Sequence, residues 1–180
     1  MNAQKFTQKS LEAIQEAQSL ALEHNNMQIE EEHLLDALLR QENGLIPQLL
    51  KRMGADAAAL QRGLEEQIVR MPGVTGPGRE AGKIYVSGDV DRVLSDAEKT
   101  ADRMKDEYVS VEHVFLALLD HANPRLRELF AACGVDKDKF LAALSDVRGN
   151  TRVTSDSPEE TYDALAKYGQ DLTQLAKNQK

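Results

Sequence analysis

The chain has 180 residues, of which 41% are hydrophobic and 29% charged, with a formal net charge of -8. That mixture reads as a globular protein, while the acidity and the 4% aromatic content without tryptophan speak against a nucleic-acid partner, which needs clustered Lys and Arg or stacking platforms. No apolar run approaches the roughly 20 residues of a membrane span, no secretory signal precedes the first helical pattern, and the lone Cys133 suits a reducing compartment, so a cytoplasmic protein with neither nucleic acid nor membrane as partner is expected.

In chain order, Thr7 is placed to cap a first helix, with Leu11, Ile14, Ala17 and Ala21 at helical spacing and Asn25-Asn26 as its stop. A second helix carries Leu34, Leu35, Leu38 and Leu39 on one face, with Glu30-Glu31-Glu32 in the first turn, where the helix dipole favours negative charge. After Glu42-Asn43-Gly44 a short third helix holds Ile46, Leu49, Leu50 and Met53 and ends at Gly54. Asp56 caps a fourth, marked by Leu60, Leu64 and Ile68. Residues 70–85 hold two Pro and four Gly and read as a linker.

The same plan then returns at an offset of 80 residues, without a gap from Phe6/Val86 to Leu64/Leu144. Glu32-His33-Leu34-Leu35 recurs as Glu112-His113-Val114-Phe115, and Ala17, Asn43, Leu49, Gly54 and Asp56 recur as Ala97, Asn123, Leu129, Gly134 and Asp136. Ser87 takes the place of Thr7, Ser110 caps the next helix, and Asn123-Pro124 is a cap followed by Pro at the first helical position. One repeat alone, about 60 residues, would bury only about 60% of its surface. Two repeats sharing a core escape that limit. Residues 148–156 are polar and read as a second linker, and Ser157-Pro158-Glu159-Glu160 is a capping box opening a tail helix through Tyr162 and Leu165 to Gly169, with a further helical piece at Asp171–Lys177.

Enzyme chemistry finds little foothold. Gly78-Arg-Glu-Ala-Gly82-Lys83-Ile84 has its glycines one residue too close for a phosphate loop, and Ile84 cannot ligate magnesium. Glu30-x-x-His33 has the spacing of a bridging metal ligand pair, but the repeat supplies Ser110 where a partner carboxylate is needed, so no metal site is expected. His33 and His113 read as partly buried residues hydrogen-bonded to backbone rather than catalytic bases, His24 and His121 as helix-end residues, and Cys133 as a small core residue in register with Met53. No Gly-x-Ser-x-Gly elbow nominates a triad.

The repeat, its two Glu-His signatures and the tail together resemble the N-terminal domain of Clp-type AAA+ ATPases. Lys5-Phe6-Thr7, the run Asp106-Glu107-Tyr108-Val109-Ser110-Val111-Glu112-His113 and the tail Tyr162–Thr173 are most similar to the bacterial protein disaggregase branch. The resemblance implies an all-α fold: two pseudo-symmetric four-helix repeats, 1–69 and 86–148, sharing one core, with linkers at 70–85 and 149–180, the latter leading to a first ATPase domain. It implies a chain that is no enzyme by itself and holds no cofactor, ATP and magnesium serving the ATPase domains. Its partners would be unfolded or aggregated proteins, threaded by the AAA+ ring; the alternative is an adaptor-docking regulatory domain of a related unfoldase. The isolated domain is expected to be a monomer and the parent a homo-hexamer. Thr7, Asp106 and Glu112 match positions associated with substrate handling in the disaggregase branch, and Glu32 and Glu112 match the glutamates that bind phosphorylated arginine in a related branch. Leu94 completes this candidate substrate-binding set. A seam between packed repeats, apolar within and acidic at its rim, is suited to hold such clients loosely. Thr7 and Glu112 also have plain structural roles open to them, one as a cap and the other beside a helix N-terminus.

Overall fold

The computed structural model describes residues 2–74 and 84–159. The tail helices expected beyond Glu159 and the glycine-rich stretch from 75 to 83, including Gly78–Gly82, lie outside the described residues.

Eight α-helices make up the described structure: α1 (Gln8–Glu23), α2 (Glu31–Arg40), α3 (Leu45–Arg52), α4 (Ala57–Val69), α5 (Gly88–Arg103), α6 (Val111–His121), α7 (Pro124–Ala132) and α8 (Lys137–Arg148). Among the described residues there is no strand longer than an isolated bridge. The helix starts follow local chemistry. The side chains of Thr7, Asp56, Ser87, Asn123 and Asp136 each accept a backbone N–H of the first turn they cap. The stops are equally local: Gly54 and Gly134 sit at φ 77° and 76°, just past α3 and α7, where a side chain would be strained.

The two repeats are joined by a reciprocal exchange of backbone. The N–H of Thr7 donates to Val109 at 3.0 Å and that of Val109 to Lys5 at 2.7 Å, so the strand-like lead into α1 pairs with the lead into α6. In mirror fashion Ile29 donates to Tyr85 at 2.9 Å and Ser87 to Ile29 at 2.9 Å. Each repeat therefore completes the other's backbone bonding, and neither can be lifted away without orphaning these groups.

Between them lies one continuous hydrophobic core. α1 packs most heavily on α2, and α5 on α6, while α2 also meets α6 and α3 meets α8 across the pseudo-dyad. Leu34, Leu35, Leu38, Ile46, Leu49 and Leu50 are fully buried from the first repeat. From the second, Phe115 stands 4.5 Å from the ring of Phe140 and 6.1 Å, edge-on, from that of Phe130. The stretch after α8 departs from its reading as a polar linker: Val153 is completely buried and its carbonyl accepts the N–H of Glu107 at 2.8 Å, so this segment packs on the second repeat.

Candidate functional site

Each repeat builds the same polar hub at the start of its second helix. In the first, His33 Nδ1 accepts the N–H of Glu30 at 2.8 Å, and Nε2 lies 2.8 Å from Oδ1 of Asn26. With Nδ1 accepting, Nε2 carries the hydrogen and donates to Asn26. His33 is fully buried, and burial, with the nearby His24 second, pulls it down to about 4. The Glu30-x-x-His33 spacing thus serves a reciprocal capping box. In the second repeat, His113 accepts from Ser110 at 2.9 Å and faces Oδ2 of Asp106 at 2.7 Å. Here the hub gains charge: Asp106 replaces Asn26, and Arg148, in the place of Ile68, bonds Oδ1 of Asp106. Burial drives the Asp106 carboxyl upward, but hydrogen bonds from His113, the Val153 amide and Arg148 outweigh it and hold it below the ordinary range.

The hubs frame two grooves of unequal fate. Beside the first, a groove of about 490 Å³ is lined by Met27, Met71, Pro72 and Pro124, with Asn26, Gln28, Glu30, Glu32, Asn123 and Arg125 around them. Its walls come from both repeats, and Asn123 Nδ2 donates to Oε1 of Glu32 at 2.6 Å across that boundary. Met27 is 73% exposed, an apolar side chain held out at the groove. The counterpart beside the second hub is smaller, about 200 Å³, lined by Lys9, Gln41–Leu45 and Val111, with Glu159 reaching in. Asn43, Gly44 and Leu45 are the repeat mates of Asn123, Pro124 and Arg125.

All five candidate residues are buried. Thr7 caps α1 and its hydroxyl donates to Oε1 of Glu159 at 2.7 Å. Glu112 has no exposure, and among the described residues neither carboxylate oxygen has a hydrogen-bond partner; burial first, and then the neighbouring Glu159, push it up to about 8. Thr7, Asp106 and Glu112 gather around the segment 153–159, whereas Leu94 is packed in the core on α5 and Glu32 lies apart in the open groove. Met27, Met71, Pro72 and Pro124 were not singled out from the sequence. Their exposure depends on which helices meet there, and no local pattern carries that. Among the described residues no group of three or more His, Cys, Asp or Glu is placed to hold a metal, and no described helix is long and apolar enough to cross a membrane.

Comparison with known proteins agrees with the architecture. The Clp repeat (R) N-terminal domain family matches residues 5–132. The chaperone protein ClpB of Nitratidesulfovibrio vulgaris is 45% identical over 181 aligned positions, covering 100% of this chain and 21% of that protein. The chain therefore spans about a fifth of the length of such relatives. Among solved structures, the Hsp104 N-terminal domain from Candida albicans superposes with a TM-score of 0.75 at 26% identity, covering 86% of this chain and 99% of that one. The ClpV N-domain in complex with VipB peptide has a TM-score of 0.59 at 23% identity, covering 79% and 89%. With eight α-helices among the described residues, twin hubs and a family match over most of its length, the chain belongs to the Clp repeat N-terminal domains of ClpB-type AAA+ chaperones.

Proposed function

We propose that this domain binds unfolded or aggregated polypeptide for an ATP-dependent disaggregase, and that the open groove beside the first hub is where it does so. The groove carries the reading. Met27, Met71, Pro72 and Pro124 offer an adaptable apolar lining, while Glu30 and Glu32 place carboxylates among them. Such a site favours an apolar segment with basic residues nearby, the kind of sequence a folded protein conceals. Weak, promiscuous binding follows from few anchors and no deep enclosure. The ClpV N-domain solved with a peptide shows that a protein of this fold accommodates one. In this reading the ATPase modules, with their ATP and magnesium, belong to the rest of a homo-hexameric parent, and threading is their work. The buried Thr7, Asp106 and Glu112 then act on clients indirectly, through the segment 153–159 that they hold.

The test is a titration of the domain into a fluorescent, permanently unfolded polypeptide. Binding with a Kd in the micromolar range, about −8 kcal/mol or weaker, is expected. Met27→Asp with Met71→Asp should weaken it about tenfold, the loss expected from removing the apolar contact of two partly exposed side chains. Absence of binding by the parent domain, or unchanged binding by the double variant, overturns the proposal. A pull-down that returns one stoichiometric folded protein in place of unfolded chains would assign the domain to adaptor docking.

A further inference from the structure

Two pseudo-equivalent grooves are built by the fold, yet only one stands open. The other is closed by the chain itself. The first N–H groups of α1 and α6 point at the segment after Val153: Gln8 donates to the carbonyl of Asp156 at 2.9 Å, and Val111 to Oε1 of Glu159 at 3.3 Å. Gln8 Nε2 adds a bond to Asp156 Oδ2 at 3.2 Å, and Thr7 adds its hydroxyl to Glu159. One short segment therefore staples the first helix of one repeat to the second helix of the other.

The staple sits on an awkward neighbour. Glu112 is the second residue of α6, fully enclosed, with both carboxylate oxygens unpartnered among the described residues. A buried carboxylate without donors is held comfortably only as the neutral acid. Burial raises Glu159 as well, but its Oε1 has two donors, Thr7 and Val111, that partly offset it, so of the pair it is the better suited to carry charge. We propose that Asp156–Glu159 is a releasable latch over the second repeat's groove, and that Glu112 is the group that drives it off.

The charges around Glu112 are accounted for element by element. Glu159 on the latch and Asp106 before α6 oppose its ionisation, Arg148 at the end of α8 favours it, and the N-terminus of α6 itself helps the anion. His113 on the same helix is held neutral by burial, and Lys9 on α1 favours the charge of Glu159 rather than that of Glu112. The net result leaves Glu112 protonated at neutral pH. When it loses its proton, two carboxylates share one dry site, and the one on the latch, Glu159, leaves for solvent. Release uncovers Thr7 and Val111 beside Asn43, Gly44 and Leu45. That this cleft then takes the same clients as its open twin rests on the reading under Proposed function; the latch does not.

The experiment needs no client. Among the described residues the amides of Gln8 and Val111 are bonded only to latch atoms, so their hydrogen-exchange protection factors report latch occupancy. Between pH of about 6.5 and about 9, protection at both should fall about tenfold or more in the parent domain, stay within about twofold in Glu112→Gln, and be lost at both pH values in Glu159→Ala. Core amides of Leu38 and Leu118 should keep their protection throughout. A parent domain with pH-independent protection at Gln8 and Val111, a Glu112→Gln variant that loses it as the parent does, or a parallel loss at Leu38 and Leu118 would each overturn the latch. Failure of client titration with these outcomes intact would sink only the client reading.

Discussion

Nε2 of His113 lies 2.7 Å from Oδ2 of Asp106, whereas at the equivalent place in the first repeat Nε2 of His33 lies 2.8 Å from Oδ1 of Asn26. The geometry is the same and the charge is not. Duplication kept the imidazole, its backbone acceptor role and its tautomer. The two repeats differ in what surrounds it: a neutral amide and Ile68 in the first, a carboxylate and Arg148 in the second. The ion pair is buried, so both members depend on each other.

That dependence gives a double-mutant test. Asp106→Asn alone leaves Arg148 enclosed without its carboxylate and should destabilise the domain by about 3–5 kcal/mol. Adding Arg148→Ile rebuilds the chemistry of the first repeat and should recover most of the loss. Denaturant unfolding of the parent, both single variants and the double variant measures the coupling. Additive losses would show that the two side chains act independently.

His33 sets an acid limit. Its fully buried ring is held down to about 4, against about 6.5 for a free histidine. Below 6.5 the unfolded chain takes up the proton and the folded chain refuses it, so stability falls as pH drops from about 6.5 towards 4. His113 is displaced in the same direction by burial, only partly offset by Asp106. Melting temperatures across that range should fall in the parent. In His33→Gln, where Gln can still complete the capping box, the pH slope should be shallower, even though the lost bond to Asn26 costs about 1–3 kcal/mol at neutral pH.

Two glutamates set an opposite limb. Burial is the main cause in both, and it raises Glu31 to about 7 and Glu112 to about 8. The folded chain keeps protons that the unfolded chain releases near pH 4.5, so each contributes stability that declines as pH rises from there to its folded value. Glu112→Gln should therefore raise the melting temperature at pH of about 8 and leave it nearly unchanged at about pH 4.5. An equal gain at both pH values would mean that packing, and not charge, explains the effect.

The duplicated leucine stripe makes a paired prediction. Leu38 and Leu118 occupy the same position in α2 and α6 and are both wholly buried. Leu38→Ala and Leu118→Ala should each cost about 2–5 kcal/mol in chemical denaturation. Because the repeats share one core, each variant should still unfold in a single transition. Separate transitions for the two halves would contradict the shared interior.

The sequence by itself determined the helices, their ends and their duplication. Caps such as Thr7, Ser87 and Asn123 and stops such as Gly54 and Gly134 act within a turn of where they stand, so their chemistry is legible without knowing the fold. The apolar stripes at helical spacing likewise marked Leu38 and Leu118 as interior. Only the tertiary structure decided which polar residues meet. Asp106 and Arg148 are 42 residues apart, Thr7 and Glu159 are 152 apart, and the groove draws Met27, Met71 and Pro124 from three separate stretches. It also decided that Thr7, Asp106, Glu112 and Glu32 lie buried, and that Val153, in a run of polar residues, is core. Capping and periodicity are short-range effects carried by the chain's own spacing. Burial of a charge and the opening of a groove depend on surfaces brought together from afar, and sequence spacing does not specify them.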